Sequence, residues 1–203
     1  LSGLPWDWEQ YGEYLNSISE KPTSINIAGL VGHSAIRYYV MGDRSFEEQA
    51  SAEEKQQMAD IVAKSLEGGA FGFSTNRFEP HKAPDGRSIP GTFAEPDELA
   101  VISKAVAQRN GLMQSVGASP DVMEAIANEG SRLLFSYGTQ AEPGAGAKSA
   151  QWLEQFSAGR DVTAVTHVRS SGLLLSLSTK FAIRGEAWKQ LNDANVAQSL
   201  RLI

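Results

Sequence analysis

Five short apolar runs, amphipathic helical patterns between them and one long unpatterned connection predict an α/β fold built on a parallel sheet. The runs cover residues 25–31, 70–74, 112–116, 133–137 and 162–168. Each is short and mostly apolar, as strands covered on both faces tend to be. Strands that alternate with helices pair in parallel, because parallel neighbours need a crossover connection. Ser51 and Glu54 have the spacing of a capping box, and Met58, Ile61, Val62 and Leu66 follow on one helical face before Gly68-Gly69 stops the helix. Pro96 suits a first helical turn ahead of Leu99, Ile102 and Val106, and Asn110-Gly111 closes that unit. Ser119-Pro120-Asp121 opens a third helix with Val122, Met123 and Ile126 inward and Gly130 after it. A fourth carries Trp152, Leu153 and Phe156 and stops at Ala158-Gly159, while 142–147 (Glu-Pro-Gly-Ala-Gly-Ala) reads as loop. Such units make up either about half of a (β/α)8 barrel or most of a doubly wound sheet, and periodicity does not separate the two.

Composition removes several function classes. The 203 residues include 18 Lys+Arg against 24 Asp+Glu, a net charge of −6, which is the wrong sign for a nucleic-acid partner. No stretch approaches the ~18 apolar residues of a spanning helix, so no membrane role is expected and the expected location is cytoplasmic. The absence of cysteine excludes disulfide and thiolate chemistry within this sequence. It opens at Leu1 and stops in a helix-like pattern at Leu200-Arg201-Leu202-Ile203, so it reads as a segment of a longer protein.

The connection over 76–94 holds Pro80, Pro84, Asp85-Gly86, Pro90 and Gly91 and lacks either periodicity. Loops this long in compact domains are usually functional or disordered, and this one leaves the carboxyl end of a strand, where α/β folds place their sites. It is expected to cover a site. The polar residues near the strand ends would then face one mouth: His33, Arg77, Gln114, Tyr137 and His167. His33 either polarises a substrate, orients a ligand or binds a metal, or it is a histidine donating to a neighbouring backbone carbonyl. Arg77 either clamps a carboxylate through two parallel N–H contacts or pairs with Glu79 or Asp85. His81 reads as exposed or loop-fixing and His167 as half-buried and structural. Histidines at 33, 81 and 167 lack short metal-ligand spacing, so no complete metal site is expected within this sequence. Gly32-His33-Ser34-Ala35-Ile36 has Ile where a nucleophile elbow needs glycine, which weakens a serine-hydrolase reading through Ser34 and His167.

Several ordered stretches resemble the N-acyl-D-amino-acid deacylase (D-aminoacylase) family of the amidohydrolase superfamily. They are Leu4-Pro5-Trp6-Asp7-Trp8, Asn26-Ile27-Ala28-Gly29-Leu30-Val31-Gly32-His33-Ser34-Ala35-Ile36-Arg37 and Gly69-Ala70-Phe71-Gly72-Phe73-Ser74-Thr75. Asn76-Arg77, Asp85-Gly86 and Pro90-Gly91-Thr92-Phe93-Ala94 continue the likeness, which is dense up to Gly111 and looser beyond it. The resemblance implies an α/β fold, a partial (β/α)8 TIM-type barrel of the amidohydrolase kind with about half of the barrel present. It also implies zinc in the full-length protein, with metal ligands and catalytic Asp outside this sequence, and metal-activated water cleaving the amide of an N-acyl amino acid or a related small amide. His33 corresponds to a Gly-His-Ser triplet that is not a zinc ligand in the family, and Phe78 to a substrate-pocket aromatic. The substrate-binding set expected is therefore His33, Arg77, Phe78, Gln114 and Tyr137, with no metal ligand among them. Where the family places two metal histidines, this sequence has Met113-Gln114-Ser115-Val116 and Phe135-Ser136-Tyr137-Gly138. Amide and phenol suit zinc far less than imidazole. That departure motivates the alternative, a non-catalytic or repurposed barrel relative that binds a small carboxylate ligand.

Overall fold

A computed structural model describes residues 6–137 and 144–166. Five parallel strands form one sheet in the order β1-β2-β3-β4-β5. They are β1 Leu30–Gly32, β2 Gly72–Asn76, β3 Leu112–Val116, β4 Arg132–Ser136 and β5 Val162–Val165. Every strand lies beside its neighbour in sequence, whereas a doubly wound sheet reverses its order partway. The sheet is therefore an arc of a (β/α)8 barrel, which resolves the alternative that periodicity leaves open.

The helices are α1 Tyr11–Ser19, α2 His33–Met41, α3 Ala52–Glu67, α4 Pro96–Ala107, α5 Pro120–Ala127 and α6 Ala145–Ser157, with a short 3-10 turn at Gly42–Phe46. Ser51 and Glu54 close the capping box on α3, each side chain bonded to the other residue's N–H. Pro96 and Pro120 each occupy the first turn of a helix, where a missing N–H costs nothing. Strand alternation divides the sheet. Val31, Phe73, Met113 and Leu133 lie in register and are buried in one core with Met58 and Val62 of α3, Leu99, Ile102 and Val106 of α4, and Ile126 of α5. The opposite face carries Ser74, Gln114, Leu134 and Thr163 side by side.

Three expectations need correction. The first strand covers Leu30–Gly32 rather than 25–31, and Ile25 and Ile27 are 74% and 52% exposed. β2 begins at Gly72, and the ladder toward β1 extends back only by the bond from Phe71 N to Gly29 O, so residues 25–28 have no partner strand there. Ala145-Gly146-Ala147 belongs to α6 rather than to a loop. The strand–helix junction at His33 carries a nine-residue helix, α2, for which the sequence offers no side-chain cap because Gly32 is the N-cap.

Candidate functional site

Loop 77–95 connects β2 to α4 and packs against His33 and Ser34 after β1 and against Gly117 after β3. Its hairpin-like tip turns at Gly86 (φ +90°), closed by the bridge between Lys82 and Ser88. Arg87 secures the tip, donating to Asp85 at 2.7 Å and Asp43 at 3.0 Å with its guanidinium 3.8 Å from the Phe46 ring centroid. Gln49 secures the far end: its amide donates to Phe93 O at 3.0 Å and its oxygen accepts from Glu95 N at 3.2 Å. In the middle, Ser34 Oγ donates to Pro90 O at 2.8 Å. The loop is thus strapped down at three places by side chains from α2 and the segment after it.

Beneath the loop lies a buried polar cluster that composition could not disclose. His33 is 2% exposed, with Nδ1 2.9 Å from Thr75 Oγ1 and Nε2 2.7 Å from Glu98 Oε1. Glu98, on the first turn of α4, is fully buried and also accepts from Arg37 Nε at 3.0 Å. The other guanidinium nitrogens of Arg37 donate to the carbonyls of Ser45 and Glu48. Burial pushes the His33 imidazole below its ordinary range, and the Glu98 hydrogen bond only partly opposes this. Burial alone would raise Glu98, but the His33 hydrogen bond and the Arg37 charge overcome it and hold the carboxyl ionised. The consistent assignment is a neutral His33 whose Nε2–H donates to Glu98 and whose Nδ1 accepts from the Thr75 hydroxyl. The backbone-carbonyl reading of His33 is thereby corrected: both ring nitrogens have side-chain partners, Thr75 and Glu98.

The expected residues do not gather at one mouth. Gln114 lies on the inner face of the sheet, two residues before the end of β3, where Ser74 Oγ donates to its Oε1. Tyr137 follows β4 on the helix side, stacked on Trp152 of α6 (centroids 6.3 Å apart, 6° between planes) and edge-on to Phe135. Its hydroxyl is buried without a partner among the described residues. The cause is strand alternation: Gln114 pairs with Leu134, and Tyr137 has the opposite parity to Leu134 along β4, sharing that of the helix-facing Leu133 and Phe135. Arg77 continues the ladder through its N–H to Val116 O, is half-buried, and donates from Nη1 to Gly91 O at 3.2 Å. Neither Glu79 nor Asp85 pairs with it, since Asp85 holds Arg87. Burial presses against its charge, while Asp121 and Glu98 support it from a distance. Phe78 is 41% exposed at the start of the loop, edge-on to His81. Its backbone crosses Gly117 (φ +68°), where a Cβ would lie 2.9 Å from Phe78 N. His81 is exposed and bonded to Asn76 at 2.5 Å. His167 lies outside the described residues.

The donor set does not suit zinc. Among the described residues no three His, Cys, Asp or Glu side chains converge, and the inner-face row offers a hydroxyl, an amide and alkyl groups. Sequence reasoning missed Glu98 and Arg37 as partners of this cluster. The signal for Glu98 was faint: an acidic residue at the third position of a helix is ordinarily read as a dipole partner.

No family model matches the chain. It is 33% identical over 117 residues to N-acyl-D-glutamate deacylase of Alcaligenes xylosoxydans, spanning 57% of this chain and 22% of that protein. To D-aminoacylase of the same organism it is 28% identical over 110 residues, 54% of this chain and 20% of that protein. The chain thus spans about a fifth of the length of the curated relatives it matches. Its fold superposes on the crystal structure of N-acyl-D-glutamate deacylase from Bordetella bronchiseptica, complexed with zinc and a phosphonate mimic of the tetrahedral intermediate. That match has a TM-score of 0.62 at 24% identity and covers 76% of this chain and 33% of that one. Likeness of sequence to two deacylases, together with the same α/β fold in a third, supports the resemblance of this chain to the N-acyl-D-amino-acid deacylases.

Proposed function

We propose that the full-length protein hydrolyses the amide bond of an N-acyl-D-amino acid, and that this chain contributes substrate-binding groups rather than the metal centre. The observation that carries the reading is the sequence likeness to curated deacylases over more than half the chain. Hydrolysis adds water across the acyl C–N bond and releases a carboxylate and a free D-amino acid. Zinc, present in the Bordetella structure, is the cofactor the resemblance implies, and the described residues offer it no converging set of donors. Arg77 has one Nη committed to Gly91 O, and its remaining N–H groups, without a partner among the described residues, can meet a substrate carboxylate. Gln114 accepts from Ser74 through Oε1, which leaves its Nε2 to donate to a carbonyl or carboxylate oxygen. Phe78 offers an exposed ring to the acyl group. Loop 77–95 acts as a fixed wall over these groups.

The test is incubation of metal-replete full-length protein with N-acetyl-D-glutamate, N-acetyl-D-aspartate and N-acetyl-D-leucine beside their L enantiomers, with chromatographic assay of free amino acid. Release from at least one D substrate in preference to its L form is expected, and no release from any D substrate overturns the reading. The second reading is a barrel relative that binds a small carboxylate without turnover, favoured by the Ser74–Gln114 pair where family members carry an imidazole. Saturable calorimetric binding of an N-acyl-D-amino acid without product would favour it.

A further inference from the structure

A continuous series of contacts runs from the backbone behind α2, through the buried cluster, to Arg77. The carbonyls of Ser45 and Glu48 hold Arg37, Arg37 holds Glu98, and Glu98 holds His33. His33 in turn meets the loop at Gly91. That residue has φ +91°, and a Cβ on it would lie 2.5 Å from His33 Nδ1 and 2.8 Å from Cε1. The backbone of the loop therefore rests directly on the imidazole, a close approach only glycine permits. The turn it belongs to is closed on itself, with Thr92 N and Thr92 Oγ1 both donating to Ile89 O, and Ser34 holds it through Pro90 O. The carbonyl of Gly91 then accepts from Arg77 Nη1.

We propose that His33, oriented at both ring nitrogens by Thr75 and Glu98, is a positioning residue that seats the 89–92 turn and, through the Gly91 carbonyl, aims the Arg77 guanidinium at the substrate carboxylate. The last step rests on the carboxylate role proposed above for Arg77; the seating of the turn does not. An apolar side chain of similar volume would fill the space under Gly91 without the desolvation cost of a polar ring. It would leave the seat undirected, whereas an imidazole bonded at both nitrogens has one orientation. His33 touches no open face of the sheet, so it acts through the turn.

The experiment compares His33→Leu and His33→Gln in the full-length protein. Leu removes both hydrogen bonds, and Gln can restore a donor to Glu98. Deuterium exchange is read at the amides of Thr92 and Ala94, which donate to Ile89 O and Gly91 O within the turn. In His33→Leu these amides are expected to exchange at least ~10-fold faster, with KM for an N-acyl-D-amino acid raised about 10-fold and kcat within about 3-fold, as when a binding contact is misaimed. His33→Gln is expected to recover part of both effects. Unchanged exchange at Thr92 and Ala94, or a fall in kcat at constant KM, overturns the proposal. Should His33→Leu fail to fold, Gly91→Ala disturbs the seat from the loop side and is expected to raise KM likewise; an unchanged KM overturns the aiming of Arg77. If the wild-type protein turns over no N-acyl-D-amino acid, the deacylase reading fails, while exchange at the two amides still decides whether His33 seats the turn.

Discussion

At the scale of single residues, the cluster of His33, Glu98 and Arg37 takes two charged groups out of water. Removing a charged pair from water costs several kcal/mol per ion even after relaxation, and here Glu98 and Arg37 are 0% and 2% exposed. The charges are tolerated because every polar atom has a partner: two carbonyls and a carboxylate for Arg37, an imidazole and a guanidinium for Glu98. Proton linkage follows from the same burial. The unfolded chain protonates His33 near its ordinary value of 6.5, whereas the folded chain resists protonation to lower pH. As pH falls below about 6.5 the unfolded state takes up a proton that the native state refuses, and stability declines. Glu98, held below its ordinary 4.5, contributes stability above that value and loses it as pH falls through the native one, so both groups act in the same direction. The melting temperature of the protein is expected to rise between about pH 5 and pH 7, and His33→Gln to flatten that rise. A slope retained in the variant would assign it to other groups.

Among the elements, caps and turns were legible wherever local chemistry decides them. Ser51 and Glu54 bond reciprocally because their spacing in sequence is all the motif requires. Ser51→Ala is expected to lower the stability of the protein by about 1 kcal/mol, read as a shift of the urea midpoint at unchanged slope. The boundaries that were misjudged depend on neighbours instead. The apolar residues Ile25 and Ile27 suggest a strand, but a strand exists only where another chain segment pairs with it, and β2 reaches back no further than the bond at Gly29. α2 went unread because a strand passes directly into it at Gly32, without a polar cap to mark the start.

For the molecule as a whole, the ordering of strands places the candidate groups on two different sides of the sheet. Gln114 occupies the inner face, whereas His33 lies toward the loop and helices and Arg77 stands one position past the end of β2 beside the loop. No converging set of metal donors stands on either side among the described residues. Zinc in the full-length protein, measured by metal analysis, is therefore expected at unchanged stoichiometry in Gln114→Ala and Tyr137→Phe. Loss of zinc in either variant would move the metal centre into this chain.

What the amino-acid sequence determined by itself was the alternation of strand and helix, the helix caps, the core stripe of Met58 and Val62, and the long Pro- and Gly-rich connection before α4. All of these are set by neighbours within a few positions along the chain, through hydrogen-bond geometry and hydrophobic periodicity. Only the tertiary structure decided that the strands follow one another in order, that Gln114 and Tyr137 face opposite sides, and that Glu98 meets His33 across 65 positions. Those outcomes depend on which segments become adjacent when the sheet assembles, and distant adjacency leaves no local periodic trace.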